Sequence, residues 1–154
     1  MLLFVSIASF SGCLKENLPE TTNSDKKEIT GFDFEHRWLY TENVIKNGVT
    51  VETRQLSSVA KLNNNIKITK RTDEKDTIYC SLIIPSNVPT QERSNVKLTK
   101  MWAYAAISDA AIIAPLNGSP ALGFPGDFSK PTSYQVTAAD GSTKNYTVIV
   151  KSLQ

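Results

Sequence analysis

The sequence predicts an all-β protein, an immunoglobulin-like antiparallel β-sandwich of about seven strands in a single domain. Three observations carry this reading. Aromatic and β-branched residues recur in short runs between turn signals, no segment sustains a helical period, and the last two runs alternate around an Asp-Gly turn.

Taken in order, Ile29 to Tyr40 alternates most strongly. Phe32, Phe34, His36, Trp38 and Tyr40 share one face, and Asp33, Glu35 and Arg37 share the other. Val49 to Arg54 is a weaker strand, and the stretch from Gln55 to Asn65 reads as a loop or a short helix. Asn65 to Arg71 and Thr77 to Ile84 flank Thr72-Asp-Glu-Lys-Asp76, the charged tip of a hairpin. Within the second of these runs Ile78, Cys80, Leu82 and Ile84 alternate, which makes Cys80 a small buried hydrophobe. Lys97 to Ile107 is a further long strand, and Ala111 to Ala114 another before Pro115.

The closing hairpin is the clearest. Ser133 to Ala139 and Asn145 to Lys151 set Tyr134, Val136 and Ala138 against Tyr146, Val148 and Val150. The turn is built on Asp140-Gly141-Ser142, where Gly141 supplies the positive φ that a tight hairpin needs. Lys144, just past the turn, reads as a residue whose loss would scarcely change stability.

The first 28 residues are of another kind. Residues 1–12 carry no charge and include Leu2, Leu3, Phe4, Val5, Ile7, Ala8 and Phe10, too short a run to span a bilayer but suited to a secretory signal. Phe10-Ser11-Gly12-Cys13 resembles a bacterial lipobox, with small residues beside the cut and a thiol that can take lipid. Cys13 is therefore the expected lipidation site, and residues 13–28, polar and without period, are the expected flexible tether to a sandwich domain at 29–154. With Cys13 acylated, Cys80 has no disulfide partner.

Candidate chemistry is sparse. One His and one remaining Cys offer no His/Cys metal set, and no spacing among the 15 acidic residues marks a catalytic pair. Asp73-Glu74-Lys75-Asp76 interposes a lysine where a calcium loop needs oxygens, so neither a metal nor a cofactor is expected. The formal charge of +2 is of mixed sign, without the basic stripe that nucleic acid would require. His36 lies in the aromatic row of the first strand and reads as a packed residue. What remains is aromatic: Trp38, Tyr40, Trp102 and Tyr104 form two pairs at period 2 on two strands. They serve either as core or as stacking platforms for the apolar face of a sugar.

Four stretches, "ITGF" from Ile29, "IIPSNV" from Ile83, "AAIIAPLNG" from Ala110 and "DFSKPTSYQVTAADGSTKNYTVIV" from Asp127, resemble the β-sandwich lipoproteins of unknown function of Bacteroidetes-type bacteria, often encoded near polysaccharide-utilisation loci. The resemblance is specific from Asp127 to Val150, loose at the first strand, and absent between Thr41 and Lys75. It implies a sandwich held at the outer membrane by its lipid, beside glycan-binding or fibre-forming partners. It implies no catalytic residues, because Asp140, Gly141, Tyr134 and Tyr146 form its turn and its packing. The expected function is a non-catalytic envelope lipoprotein that helps to capture polysaccharide, with assembly or adhesion against another envelope protein as the alternative.

Overall fold

The alternation that starts at Ile29 runs well past Tyr40. In the computed structural model, which describes residues 23–70 and 75–154, strand β1 spans Gly31–Lys46 and returns as β2, Val49–Lys61. Both residues of the connecting turn have positive φ, 50° at Asn47 and 76° at Gly48, as a two-residue hairpin requires. The ladder pairs Glu35 with Lys61 at one end and Lys46 with Val49 at the other. A single irregularity between Val44 and Ile45 leaves Val51 as the extra residue of a bulge.

The segment 55–65 is neither loop nor helix. Residues 55–61 continue β2; several of them face solvent, so burial imposes no apolar alternation there. At Leu62 the chain crosses from one sheet to the other. That side chain is buried, its N–H donates to the carbonyl of Phe34 at 2.9 Å, and β3 (Asn63–Thr69) begins at the next residue.

The remaining elements are β4 (Lys75–Ile83), a single-turn helix α1 (Thr90–Arg93), a 3₁₀ turn (Leu98–Lys100), β5 (Met101–Ala106), β6 (Ile112–Leu116), β7 (Pro125–Gly126), β8 (Thr132–Thr137) and β9 (Thr143–Leu153). They form a sandwich of two sheets, in the orders β2-β1-β5-β7 and β3-β4-β9-β8-β6. Among the described residues nine strands replace the expected seven or so, because the two-residue β7 is too short to show a period. The second sheet is mixed: β4 and β9 run parallel, and the other pairs are antiparallel.

The core lies between the sheets. Phe32 and Phe34 of β1 meet Tyr134 and Phe128, with ring centroids 5.8 and 5.3 Å apart, and Ile78, Cys80, Leu82, Val136 and Val148 complete it from the other side. Burial pushes the Cys80 thiol up from its ordinary pKa. Two charged residues are also inside. Asp76 is 2% exposed and Lys144 9%, and their Oδ2 and Nζ atoms lie 3.2 Å apart. Asp76 therefore does not belong to a solvated tip, and Lys144 is not a surface residue; of the rest of that tip, Lys75 opens β4 and residues 72–74 lie outside the described residues.

The terminal hairpin forms as its alternation demands. Tyr134 stands opposite Tyr146, Gly141 has φ 86°, the Ser142 N–H donates to Asp140 Oδ1 at 2.8 Å, and the Ala138 N–H donates to the Ser142 carbonyl at 2.9 Å. The end of the expected tether touches this hairpin. The Asp140 N–H donates to the Ser24 carbonyl at 3.1 Å, and the Tyr146 hydroxyl donates to the Lys27 carbonyl at 3.0 Å while accepting the Ile29 N–H at 3.2 Å. Cys13 and the expected signal segment before it lie outside the described residues.

Candidate binding site

β1 outruns its neighbour. Strand β5 pairs with β1 only from Gly31 to Glu35, the last of these facing Trp102, so from His36 onward one edge of β1 meets no strand. The chain between α1 and β5 passes beside this open edge without pairing. The gap between them is a cleft of about 690 Å³ at the base of the β1–β2 arm.

Its floor is set by a buried histidine. His36 is 4% exposed because it follows Phe32 and Phe34 in the inward row, and its Nε2 lies 2.8 Å from Glu92 Oε1. A carboxylate only accepts, so Nε2 carries the proton; Nδ1 is buried without a partner among the described residues. Glu92 also accepts from Asn95 Nδ2 at 3.1 Å. These bonds, the one from His36 foremost, hold the Glu92 carboxyl below the usual carboxylate range. Trp38, next in the inward row, stacks on His36 with centroids 5.6 Å apart and planes 14° apart.

The four aromatic candidates divide between two faces. Trp38 and Tyr40 continue the inward row beyond the core: Trp38 is half-buried and packs against the core, whereas Tyr40 is 44% exposed. Tyr40 borders a neighbouring depression of about 350 Å³, which Trp38 also lines. Trp102 and Tyr104 stand on the outer face of the same sheet, both half-buried. The Arg37 guanidinium lies 5.4 Å from the Trp102 ring centroid, donates to Glu35 at 2.9 Å and donates to the Tyr104 hydroxyl. The structure thus brings Trp38 and Trp102 into one cleft, with Tyr40 beyond it and Tyr104 behind Arg37. Asp140 and Gly141 stay in their turn. The fully buried large rings are Phe32, Phe34, Phe128, Tyr134 and Tyr146 instead.

Glu92, Asn95, Lys97 and Lys100 also line the cleft and carried no site signal in the sequence: Glu92 and Asn95 lie on and just after a four-residue helix, and the strand expected from Lys97 begins only at Met101, because Leu98–Lys100 form a 3₁₀ turn. Tyr79 was also missed. It faces outward from the second sheet with Lys151 Nζ 4.7 Å from its ring centroid, in a shallower depression of about 450 Å³ shared with Lys67 and Asn65. Among the described residues no group of three His, Cys, Asp or Glu is placed to hold a metal ion. Glu92 is the one carboxylate among the described residues that line the main cleft.

Fold and cleft together define a β-sandwich module with one projecting hairpin and an aromatic-lined notch at its base. The chain belongs to the DUF5018-related family, which it matches over residues 29–149. It is similar to a crystal structure from Bacteroides fragilis NCTC 9343 of a protein provisionally described as secreted. The TM-score is 0.68 at 27% identity, over 84% of this chain and 97% of that one. A partial similarity to a protein of Bacteroides thetaiotaomicron VPI-5482, provisionally described as a glycoside hydrolase, has a TM-score of 0.34 at 28% identity, over 48% of this chain and 18% of that one. No curated protein matches the chain. No helix among the described residues is long and apolar enough to cross a membrane.

Proposed function

We propose that this protein is a non-catalytic accessory module of the bacterial outer membrane, tethered through lipid on Cys13, that binds polysaccharide in the cleft between β1 and the chain leading to β5. The observation that carries the reading is that Trp38 and Trp102, distant in sequence and on opposite faces of the sheet, reach one notch beside amide and ammonium groups. A pyranose presents flat C–H faces to indole rings and a rim of hydroxyls to polar side chains, so this combination suits it. The similarity to a Bacteroides protein provisionally described as secreted supports an extracytoplasmic setting.

Trp102 is the better test, since Trp38 also packs against the core. Trp102→Ala should leave the thermal midpoint near that of the wild type and remove most polysaccharide retention in affinity electrophoresis. Phe34→Ala, a core control, should cost about 3–5 kcal/mol. A wild-type protein that binds nothing on a broad glycan array would sink the reading.

A second reading rests on the arm. Beyond Glu35 one edge of β1 is unpaired, β2 is itself an edge strand, and Leu39, Ile45, Val49 and Val51 are more than half exposed. Such an edge accepts a strand from another chain, which is the assembly role.

A further inference from the structure

We infer that the cleft is selective for acidic saccharides, chains whose rings bear carboxylate or sulfate; this deepens the polysaccharide reading and rests on it. Three cations line the cleft, Arg37, Lys97 and Lys100, against the one carboxylate of Glu92. The two sides are not equally available. Glu92 is already bonded to His36 and Asn95, and Arg37 is engaged by Glu35. Lys97 and Lys100 form no ion pair with any carboxylate among the described residues, although Lys100 is near enough to Glu92 to favour its charged form. Two lysines without an ion pair among the described residues therefore line the same notch as Trp38 and Trp102.

The arrangement separates two tasks. The indole walls take the C–H face of a sugar ring, which neutral and acidic sugars share. Lys97 and Lys100 then distinguish between them, because an anionic substituent there meets positive charge and no free carboxylate. Both lysines are exposed, so their attraction for an anion is weakened by salt, and Asn95 supplies a neutral amide to the ring hydroxyls. An extended acidic peptide is the competing occupant on charge alone, since the open β1 edge borders the same cleft. It would leave the flat walls unused.

The experiment uses the full chain and matched ligands. Oligogalacturonate and its methyl ester share one ring and differ only in charge, and chondroitin sulfate against desulfated chondroitin tests the second kind of anion. The more highly charged member of at least one pair should bind at least about tenfold more tightly, in line with two exposed charge contacts, and lose that advantage in 1 M salt, where the Debye length is about 3 Å. Lys97→Gln combined with Lys100→Gln should abolish the preference while Lys67→Gln, on the other sheet, changes nothing. Which pair responds tells carboxylate from sulfate. Equal binding of the two members within each pair, and of oligogalacturonate and its neutral ester above all, with Trp102→Ala still abolishing both, would overturn the acidic preference and leave the saccharide reading standing. Loss of binding through Lys67→Gln would displace the site to the Tyr79 depression and overturn the inference. Polyglutamate competing as well as oligogalacturonate, or no saccharide binding at all, would overturn the reading beneath it.

Discussion

Lys144 is the second residue of β9, in a row whose next members are Tyr146, Val148 and Val150, and it points where they point. Its ammonium lies over the Tyr146 ring at 5.8 Å and 3.2 Å from the buried Asp76 carboxylate. Breaking a buried pair of this kind typically costs about 3–5 kcal/mol. Gly141 presents the opposite case: nothing lies within 4 Å of where a Cβ would stand, so a side chain there costs only the strain of φ 86°, about 1–3 kcal/mol. Chemical denaturation should therefore rank Lys144→Ala as more damaging than Gly141→Val, with both below the wild type. A Lys144→Ala protein as stable as the wild type would mean that the pair is open to water. The signal was present in the sequence: Asp76 precedes Ile78, Cys80 and Leu82 at period 2, and Lys144 precedes Tyr146 and Val148 in the same way. Two opposite charges, each heading an inward row, call for each other, but alternation alone does not say that β4 and β9 are neighbours.

At the scale of elements, legibility follows burial. The terminal hairpin and the start of β1 could be read because one face is packed and the other wet, which forces a period of 2. The outer part of the β1–β2 arm has solvent on both faces, and the chain from α1 to β5 is irregular, so neither carries a period. The cleft is made where these two meet, and that is why its polar half stayed hidden while its tryptophans did not. The arm also separates stability from association. Tyr40 pairs with Leu56, so joining them through Asn-Gly in place of residues 41–55 preserves the register and removes Ile45, Val49 and Val51. Because those residues are exposed, the thermal midpoint should move by less than about 5 °C, the scale of 1 kcal/mol in a domain of this size. If the arm serves assembly, the intact protein should form a concentration-dependent complex in sedimentation velocity and the shortened one should not. Identical sedimentation of both as monomers, alone and with envelope extract, would remove the assembly reading.

Over the whole molecule, the direction of β1 sets where the arm lies relative to the N-terminal segment. Gly31 lies beside Ala106, at the end of the sandwich where the Lys27 carbonyl is bonded to Tyr146, and the 16 residues of β1 at about 3.3 Å each carry the chain some 50 Å to the arm tip. A tether entering at Ser24 thus holds one end of the sandwich, and the arm extends from that end towards the other. Lipid on Cys13 would make this orientation permanent, since diacyl burial at about 0.8 kcal/mol per CH₂ anchors where a single chain does not. Mass spectrometry of the mature N-terminus should find cleavage before Cys13 and an acyl-bearing cysteine. Cys13→Ala should release the protein from the membrane fraction with its thermal midpoint and its oligosaccharide affinity unchanged, because every group of the cleft belongs to the sandwich. Retention of long, insoluble polysaccharide by intact cells should nevertheless fall, as only an anchored module tethers the polymer to the cell. An unmodified N-terminus cut at another bond would end the anchoring proposal and leave the cleft to act in a freely secreted protein.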